Sequence, residues 1–178
     1  MSAARGQTPP LQLSVQFASR LHRPLLPRHL LTRWVRAALR AGPARSAARS
    51  ASSDTGERAP AQITLRFVDA TEGRSLNHQF RRRDYATNVL TFAYQQLPAV
   101  ADLVLCDSVV AAEALAQHKP LQHHYAHLIV HGVLHALGWD HLRQAQALRM
   151  EQAERDILAG LGIGDPYAGE GGIGVGDD

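Results

Sequence analysis

The sequence contains a single cysteine, Cys106, among 178 residues. One cysteine excludes a disulfide bond within the chain and fits a reducing compartment, so we expect a cytoplasmic protein. The sequence also lacks any run of eighteen apolar residues, and it therefore predicts no segment that crosses a membrane. The length suffices for one domain with a substantial core. These two absences exclude a small fold stabilised by internal disulfide bonds and a membrane-spanning protein.

Acidic residues are scarce in the first sixty positions. This region carries ten arginines against Asp54 and Glu57, a local balance of +8, whereas the rest of the chain carries nine basic and fourteen acidic residues. Such a basic region suits a polyanion such as RNA, although a solvated surface rich in arginine would have the same composition. A transit peptide is also rich in arginine and poor in acid. Residues 11–18 alternate apolar and polar side chains like a strand, which favours a folded start instead.

The hydrophobic pattern predicts one domain, residues 11–167, between disordered tails at 1–10 and 168–178. Strands are predicted at residues 11–18, 62–69, 88–94 and 102–106, and helices at residues 27–41, 108–118, 121–137 and 143–161. Segment 42–60 is small, polar and without periodicity, so we predict a flexible inserted loop. The strand at 102–106 is apolar almost throughout, as a central strand would be. The predicted fold is α+β: a mixed, mostly parallel four-stranded sheet packed with about five helices.

Histidines are concentrated in one region, where seven of the ten lie between His118 and His141. Four of them share one stripe of the predicted helix 121–137: His124, His127, His131 and His135. A single histidine on such a stripe is usually a satisfied core residue, but several together need partners, and a metal ion is the best one. Eight helical residues span about 12 Å along the axis, so one ion cannot bind both His127 and His135. The ligand pair is therefore either His127 with His131, or His131 with His135.

Gly138 favours the second pair. A glycine three residues after His135 can adopt a positive φ, end the helix and turn the chain back. This turn would bring His141 to His131 and His135. Three protein ligands leave one position open for water, as in catalytic rather than structural zinc sites. His124 and His127 would then lie behind the ligands or in the core, and Asp140 would either orient a ligand imidazole or face solvent.

Gly132 occupies the position at which the H-E-x-x-H helix of a metalloprotease carries its catalytic glutamate. Peptide hydrolysis would therefore lack its proton acceptor, which argues against a protease. A zinc-bound water or hydroxide would still be a usable nucleophile, with one Zn²⁺ per chain, although three imidazoles also accept nickel or copper.

A phosphodiester substrate would need positive charge around its oxygens, and the triplet Arg81, Arg82 and Arg83 can supply it. In an extended chain Arg81 and Arg83 would share one side and Arg82 would take the other. A solvated basic turn is the alternative interpretation of the triplet.

The stretch HGVLHALGWDH (residues 131–141) resembles the H-G-x-L-H-x-x-G-[YW]-D-H signature of the bacterial YbeY family. The resemblance extends through LNHQFRRRDYATNVLTF, ADLVLC, HHYAHLIV and GDPY. It implies a single α+β domain with a zinc-protease-like metal helix, and metal-dependent cleavage of single-stranded RNA. It further implies roles in 16S rRNA 3′-end maturation and ribosome quality control. By this resemblance His131, His135 and His141 are the zinc ligands, and Arg81 is the catalytic arginine that contacts the substrate.

The same resemblance implies 16S rRNA of the small ribosomal subunit as partner and, by analogy, ribosomal protein S11 and the GTPase Era. The chain departs from the family pattern at Ala86, usually proline, and at Ala101, usually glycine. Segment 42–60 is longer than the usual connection, and we predict that its arginines add non-specific RNA affinity. The alternative function is a ribosome-assembly binding factor whose metal site is structural and whose nuclease activity is weak.

Overall fold

The computed structural model of the protein describes residues 10–43 and 59–168. The strands are β1 (Leu11–Phe17), β2 (Ala61–Val68), β3 (Val89–Gln96) and β4 (Ala99–Cys106). The helices are α1 (Arg28–Leu39), α2 (Ala70–Arg81), α3 (Asp107–Ala116), α4 (Leu121–Ala136) and α5 (Gln144–Gly160), with a short 3-10 turn at Arg23–Leu25. Of the predicted tails and inserted loop, residues 1–9, 44–58 and 169–178 lie outside the described residues. No helix within the described ranges is long and apolar enough to cross a membrane.

The four strands form one sheet in the order β1-β2-β4-β3. β1 pairs with β2, and β2 with β4, in parallel, whereas β3 pairs with β4 in the antiparallel direction. The predicted mixed, mostly parallel four-stranded sheet is therefore confirmed. β4 is a central strand, as its nearly continuous apolar sequence predicts.

Helices cover both faces of the sheet. The larger core lies on one face, where Leu103 and Leu105 of β4 pack with apolar residues of α1, α4 and α5. The smaller core lies on the other face, where Val104 and Cys106 of β4 pack with Leu76 of α2. The alternation of β4 side chains between the two cores follows from the two-residue period of a strand. α4 belongs to the larger core and has twelve of its sixteen residues buried.

α2 is the helix that the pattern of hydrophobic residues did not predict. Its only buried residues are Gly73 and Asn77, so it has almost no apolar stripe. The helix begins at an N-cap, where the side chain of Asp69 accepts a hydrogen bond from the backbone N–H of Glu72. The spacing of an aspartate and a glutamate three residues later is that of a capping box, and this signal was available in the sequence.

Candidate metal centre

α4 ends at the turn predicted from Gly138, whose φ is 84°. The backbone N–H of Gly138 donates to His135 O at 2.9 Å, and that of Trp139 donates to Leu134 O at 3.0 Å. These bonds satisfy carbonyls at the end of the helix, as in a Schellman motif. The indole Nε1 of Trp139 also donates to Gly42 O at 2.9 Å, which ties the turn to the chain just after α1.

The turn brings three histidines together, here called the metal centre: His131, His135 and His141. One possible ligand atom from each lies within 4.8 Å of the others. The Nε2 atoms of His131 and His135 are 3.1 Å apart, and the ring centroids of His135 and His141 are 4.9 Å apart. A tetrahedral zinc ion with bonds of 2.0–2.1 Å would hold its nitrogens about 3.4 Å apart. The donor set and its spacing therefore fit one transition-metal ion.

Glu154 of α5 lies directly behind the metal centre. Its Oε1 is 2.7 Å from His131 Nδ1, and its Oε2 is 2.9 Å from His127 Nε2. When Nδ1 of His131 donates to this carboxylate, its Nε2 keeps a lone pair for a metal ion. Glu154 is fully buried. Burial by itself raises the pKa of Glu154, but hydrogen bonds from the two histidines outweigh it and hold the pKa well below its ordinary value.

Tyr167 of the GDPY segment completes the environment of Glu154, because its hydroxyl donates to Glu154 Oε2. Burial raises the pKa of Tyr167, and the neighbouring Glu154 carboxylate raises this pKa further, so the phenol keeps its proton. The guanidinium of Arg155 lies 4.8 Å from the centre of the Tyr167 ring. The carboxylate thus has three donors, two imidazoles and one phenol, which compensate for its burial.

The pKa of His135 is lowered to about 4, first by burial and then by the neighbouring imidazoles of His131 and His141. This ring is therefore neutral at physiological pH, which is the form that binds metal ions. The His141 Nδ1 atom is buried and has no hydrogen-bond partner among the described residues. A buried ring nitrogen without a partner is costly, and a metal ion bound by this histidine would offset that cost.

The two histidines earlier on α4 have different partners. His124 Nε2 lies 2.8 Å from Glu113 Oε2, and the same carboxylate accepts from the side-chain amide of Asn88 at 3.1 Å. His127 shares the Glu154 carboxylate with His131, and the centroids of these two rings are 6.4 Å apart. His127 therefore shares a carboxylate with a histidine of the metal centre, and His124 belongs to a network that joins α4 to α3 and to the start of β3.

Asp140 does not bind an imidazole of the metal centre, which was one of the two roles expected for it. Its Oδ1 accepts the backbone N–H groups of His141 and Leu142 at 2.7 and 3.2 Å. The carboxylate thus fixes the turn that carries His141, and Glu154 contacts the His131 imidazole instead. The sequence contained a signal for Glu154, because this residue lies on the buried stripe of α5 between Met150 and Leu158 at four-residue spacing.

Gly132, at the position of the protease glutamate, faces the sheet. A Cβ atom at this position would lie 2.6 Å from Leu103 Cδ2 and 3.0 Å from Thr91 Oγ1. The glycine therefore permits α4 to pack closely on β3 and β4. A glutamate here would have to displace core side chains, and its carboxylate would start from the side of the helix that faces the sheet.

The arginine triplet is not extended, so the alternation of sides that an extended chain would give does not apply. Arg81 is the last residue of α2, and Arg82 adopts a left-handed conformation with φ 61°. Arg83 Nη1 donates to the hydroxyl of Tyr85 at 3.0 Å. The residue before Arg81, Phe80, packs edge-on against Phe92 of the edge strand β3. This contact ties the end of α2, and with it Arg81, to the face of β3 that borders the smaller core.

Comparison with known proteins assigns the chain to a family. The family model described as Endoribonuclease YbeY matches residues 32–162. The Endoribonuclease YbeY of Methylibium petroleiphilum is 48% identical over 165 residues, which are 92% of this chain and 99% of that protein. The Endoribonuclease YbeY of Acidovorax sp. (strain JS42) is 52% identical over 164 residues, 89% of this chain and 96% of that protein.

A solved structure supports the fold alone. The solution structure of a Thermotoga maritima protein superimposes with a TM-score of 0.52 at 16% identity, over 84% of this chain and 91% of that one. The family match covers most of the chain, including all of α4 and the turn that follows it. The chain belongs to the Endoribonuclease YbeY family.

Proposed function

We propose that the protein is a metal-dependent endoribonuclease that cleaves single-stranded RNA. The observation that carries the proposal is the convergence of three imidazoles, from His131, His135 and His141, at the end of α4. The names of the relatives supply the substrate class, since these proteins are called endoribonucleases. Three histidines suit a catalytic zinc ion because they leave a coordination position for water.

In this proposal His131, His135 and His141 hold one Zn²⁺ per chain. A bound ion would supply Lewis-acid polarisation of a phosphoryl oxygen and activation of a water molecule near neutral pH. Glu154 accepts a hydrogen bond from Nδ1–H of His131, and this bond fixes the tautomer and the orientation of that ring. The low pKa of His135 keeps the second ring neutral. Asp140 holds the backbone of the turn, and this contact maintains His141 beside the other two rings.

Arg81 is the proposed catalytic arginine that contacts the scissile phosphate, with Arg83 as a second substrate contact. A guanidinium group can donate two hydrogen bonds to one phosphate and neutralise part of its charge. Arg81 ends α2, and the residue before it packs on β3, the strand at one end of the described sheet. An RNA that approaches this end of the sheet would meet the Arg81 guanidinium.

The biological setting is proposed from the family resemblance. The RNA would be 16S rRNA within the small ribosomal subunit, during 3′-end maturation and ribosome quality control in the cytoplasm. Ribosomal protein S11 and the GTPase Era would be the protein partners. A ribosome-assembly factor with a structural metal is the second candidate. Gly132 favours this second candidate, because it stands where a metalloprotease has the glutamate that acts as general base. Without that carboxylate, turnover would be slow.

Cleavage of a labelled single-stranded RNA by the wild type and by His135→Ala separates the two candidates. If the protein is an endoribonuclease, the wild type cleaves the RNA, loses this activity when a chelator is added and regains it when Zn²⁺ is restored. His135→Ala is inactive under all three conditions. His123→Ala, on the same helix, is the matched control and should keep full activity. Equal cleavage by the wild type and His135→Ala would indicate a contaminating nuclease and would favour the assembly factor.

A further inference from the structure

A basic groove lies outside the metal centre, between α1 and the C-terminal half of α5. It has a volume of about 890 Å³. Among the described residues, its lining contains four arginines from α1 and its C-terminus, and one acidic residue, Asp156 of α5. The arginines are Arg28, Arg33, Arg36 and Arg40. This concave surface therefore has a strong excess of positive charge.

The sequence of α1 explains why the arginines line the groove. The helix buries an apolar stripe that includes Leu31, Trp34 and Val35 in the larger core. Arg33 and Arg36 point away from that core and are exposed. α1 contains no acidic residue that could pair with them within the helix. Arg33 and Arg40 are seven residues apart, about 10 Å along the axis, so the arginines form a row rather than a single cluster.

Both walls of the groove begin close to the metal centre. On the first wall, Gly42 O accepts the indole N–H of Trp139, so the Arg40 end of the row lies beside the turn that carries His141. On the second wall, Glu154 contacts His131, and Ile157, three residues further along α5, lines the groove. A linear ligand that leaves the metal centre along α1 therefore meets this row of arginines.

We propose that the groove binds the phosphodiester backbone of a single-stranded RNA, as a subsite that continues from the metal centre. The proposal rests on the proposed function for its substrate class. Guanidinium groups spaced along a helix suit a ligand that presents one negative charge per nucleotide. Ile157 and Leu161 offer apolar surface next to the arginines, on which ribose or base can pack. The groove would hold RNA without reading its sequence, since phosphate contacts carry no base information.

The test measures how RNA binding depends on salt. The groove variant is Arg33→Gln combined with Arg36→Gln, and the control is Arg20→Gln combined with Arg149→Gln, which removes the same charge from exposed positions outside the groove. Metal-loaded proteins are titrated with a fluorescent 2′-O-methyl phosphorothioate RNA of about 20 nucleotides, which keeps the backbone charge and resists cleavage. Each lost phosphate contact reduces the slope of log K against log salt by about 0.7 for a single strand. We therefore expect the slope to fall by about 1.4 in the groove variant and not in the control.

At 0.15 M salt this difference corresponds to about tenfold weaker binding by the groove variant. In cleavage assays, the variant should raise KM for the long RNA about tenfold with kcat unchanged. A trinucleotide, too short to leave the metal centre, should be cleaved equally by all three proteins. Equal salt slopes for groove variant and wild type would overturn the groove proposal, whether or not RNA is cleaved.

The same titration separates failure of the groove from failure of the proposed function. If the wild type cleaves no RNA but the groove variant alone loses salt-dependent binding, the groove proposal stands and the nuclease proposal fails. Vesicles of phosphatidylcholine with 30% phosphatidylserine serve as the other anionic probe. If the groove variant loses vesicle binding while RNA binding is unchanged, the site recognises lipid headgroups and the RNA proposal is wrong.

Discussion

The two halves of α4 use the same residue type in different ways. In the first half, His124 and His127 each point a ring nitrogen at a carboxylate, Glu113 or Glu154. In the second half, His131 and His135 point ring nitrogens at each other, 3.1 Å apart. In the first half the Nε2 atom of each ring therefore lies against a carboxylate, whereas in the second half two Nε2 atoms face each other, where one metal ion can bind both.

The difference lies in the elements that pack beside each half. α3 and α5 bring Glu113 and Glu154 to the first half, so its histidines act in packing and orientation. The Gly138 turn instead brings a further histidine to the second half. The histidines lie one helical turn apart in both halves, three residues apart in the first and four in the second. The neighbouring chain segments decide which rings can bind an ion. Glu154 connects the halves because it contacts both His127 and His131.

Removal of the histidine that the Gly138 turn brings to the second half should have the largest effect on metal binding. We expect His141→Ala to weaken zinc affinity by more than the roughly 10–100-fold that loss of an outer partner costs, because the site would keep only two imidazoles. His124→Gln, in the first half, should retain zinc affinity and lose about 1–2 kcal/mol of stability, because its bond to Glu113 would be weakened. Competition with a chromophoric chelator measures the affinities. Equal losses of affinity in both variants would remove the distinction between the halves.

Loss of the Glu154 carboxylate, which contacts a histidine of each half, should have the next largest effect on metal binding. We expect Glu154→Gln to weaken zinc affinity about 10–100-fold, because the amide offers fewer acceptor positions and no charge to His131. Glu151→Gln is the matched control on the same helix, since its side chain pairs with Arg155 at 3.6 Å near the surface. The same chelator competition applies to both variants. An unchanged affinity in Glu154→Gln would mean that the orientation of His131 does not depend on this carboxylate.

The protonation of His135 gives the metal-free protein a distinct pH dependence. Its pKa is lowered from 6.5 to about 4 in the folded state, so between these values the unfolded chain binds a proton that the folded chain does not. The free energy of unfolding should therefore fall as the pH decreases from 6.5 to 4, by at most about 3 kcal/mol at roughly 1.4 kcal/mol per pKa unit. Urea unfolding of chelator-treated wild type and His135→Asn measures this dependence. A slope that is equally steep in both proteins would assign the effect to other groups.

The side of α4 that faces the sheet should give the smallest effect, a change in the free energy of unfolding alone. Gly132→Ala would place a Cβ 2.6 Å from Leu103 Cδ2. Overpacking costs about 1–3 kcal/mol and the better helix propensity of alanine returns up to about 1 kcal/mol, so we expect a net loss of about 1–2 kcal/mol. Gly160→Ala, at the end of α5 with no atom within 4 Å of its Cβ position, should be neutral or slightly stabilising. Urea unfolding of both variants tests the difference. Stability of Gly132→Ala equal to wild type would show that the core adapts easily here.

Much of the fold was predictable because the apolar periodicity of its elements is strong. The four strands and the helices α1, α3, α4 and α5 appear close to their predicted positions, with boundaries shifted by one to three residues. α2 was missed because Gly73 and Asn77 are its only buried residues, so it lacks the apolar stripe that identifies a helix. As a result, the sequence did not show that Arg81 ends a helix and that the triplet is therefore not extended.

The meeting of the three histidines was predictable from local rules, namely helical rise and the freedom of Gly138 to adopt a positive φ. The groups behind them were not, because Glu154 and Tyr167 reach the site from elements distant in sequence. A glutamate in a helix is usually solvated, and although the apolar stripe of α5 indicates that Glu154 is buried, only the packing of α5 against α4 reveals that it meets His131. Local spacing thus predicts which residues can be ligands, and tertiary packing determines what orients them.

X-ray absorption spectroscopy of the zinc-loaded protein tests the central claim most directly, because it counts the atoms bound to the ion. We expect one zinc per chain, with a shell of three imidazole nitrogens and one oxygen from solvent, and loss of one imidazole in His141→Ala. A shell with four protein ligands would contradict the account, because no position would remain for the reaction. An unchanged shell in His141→Ala would place the ion elsewhere and would contradict it as well.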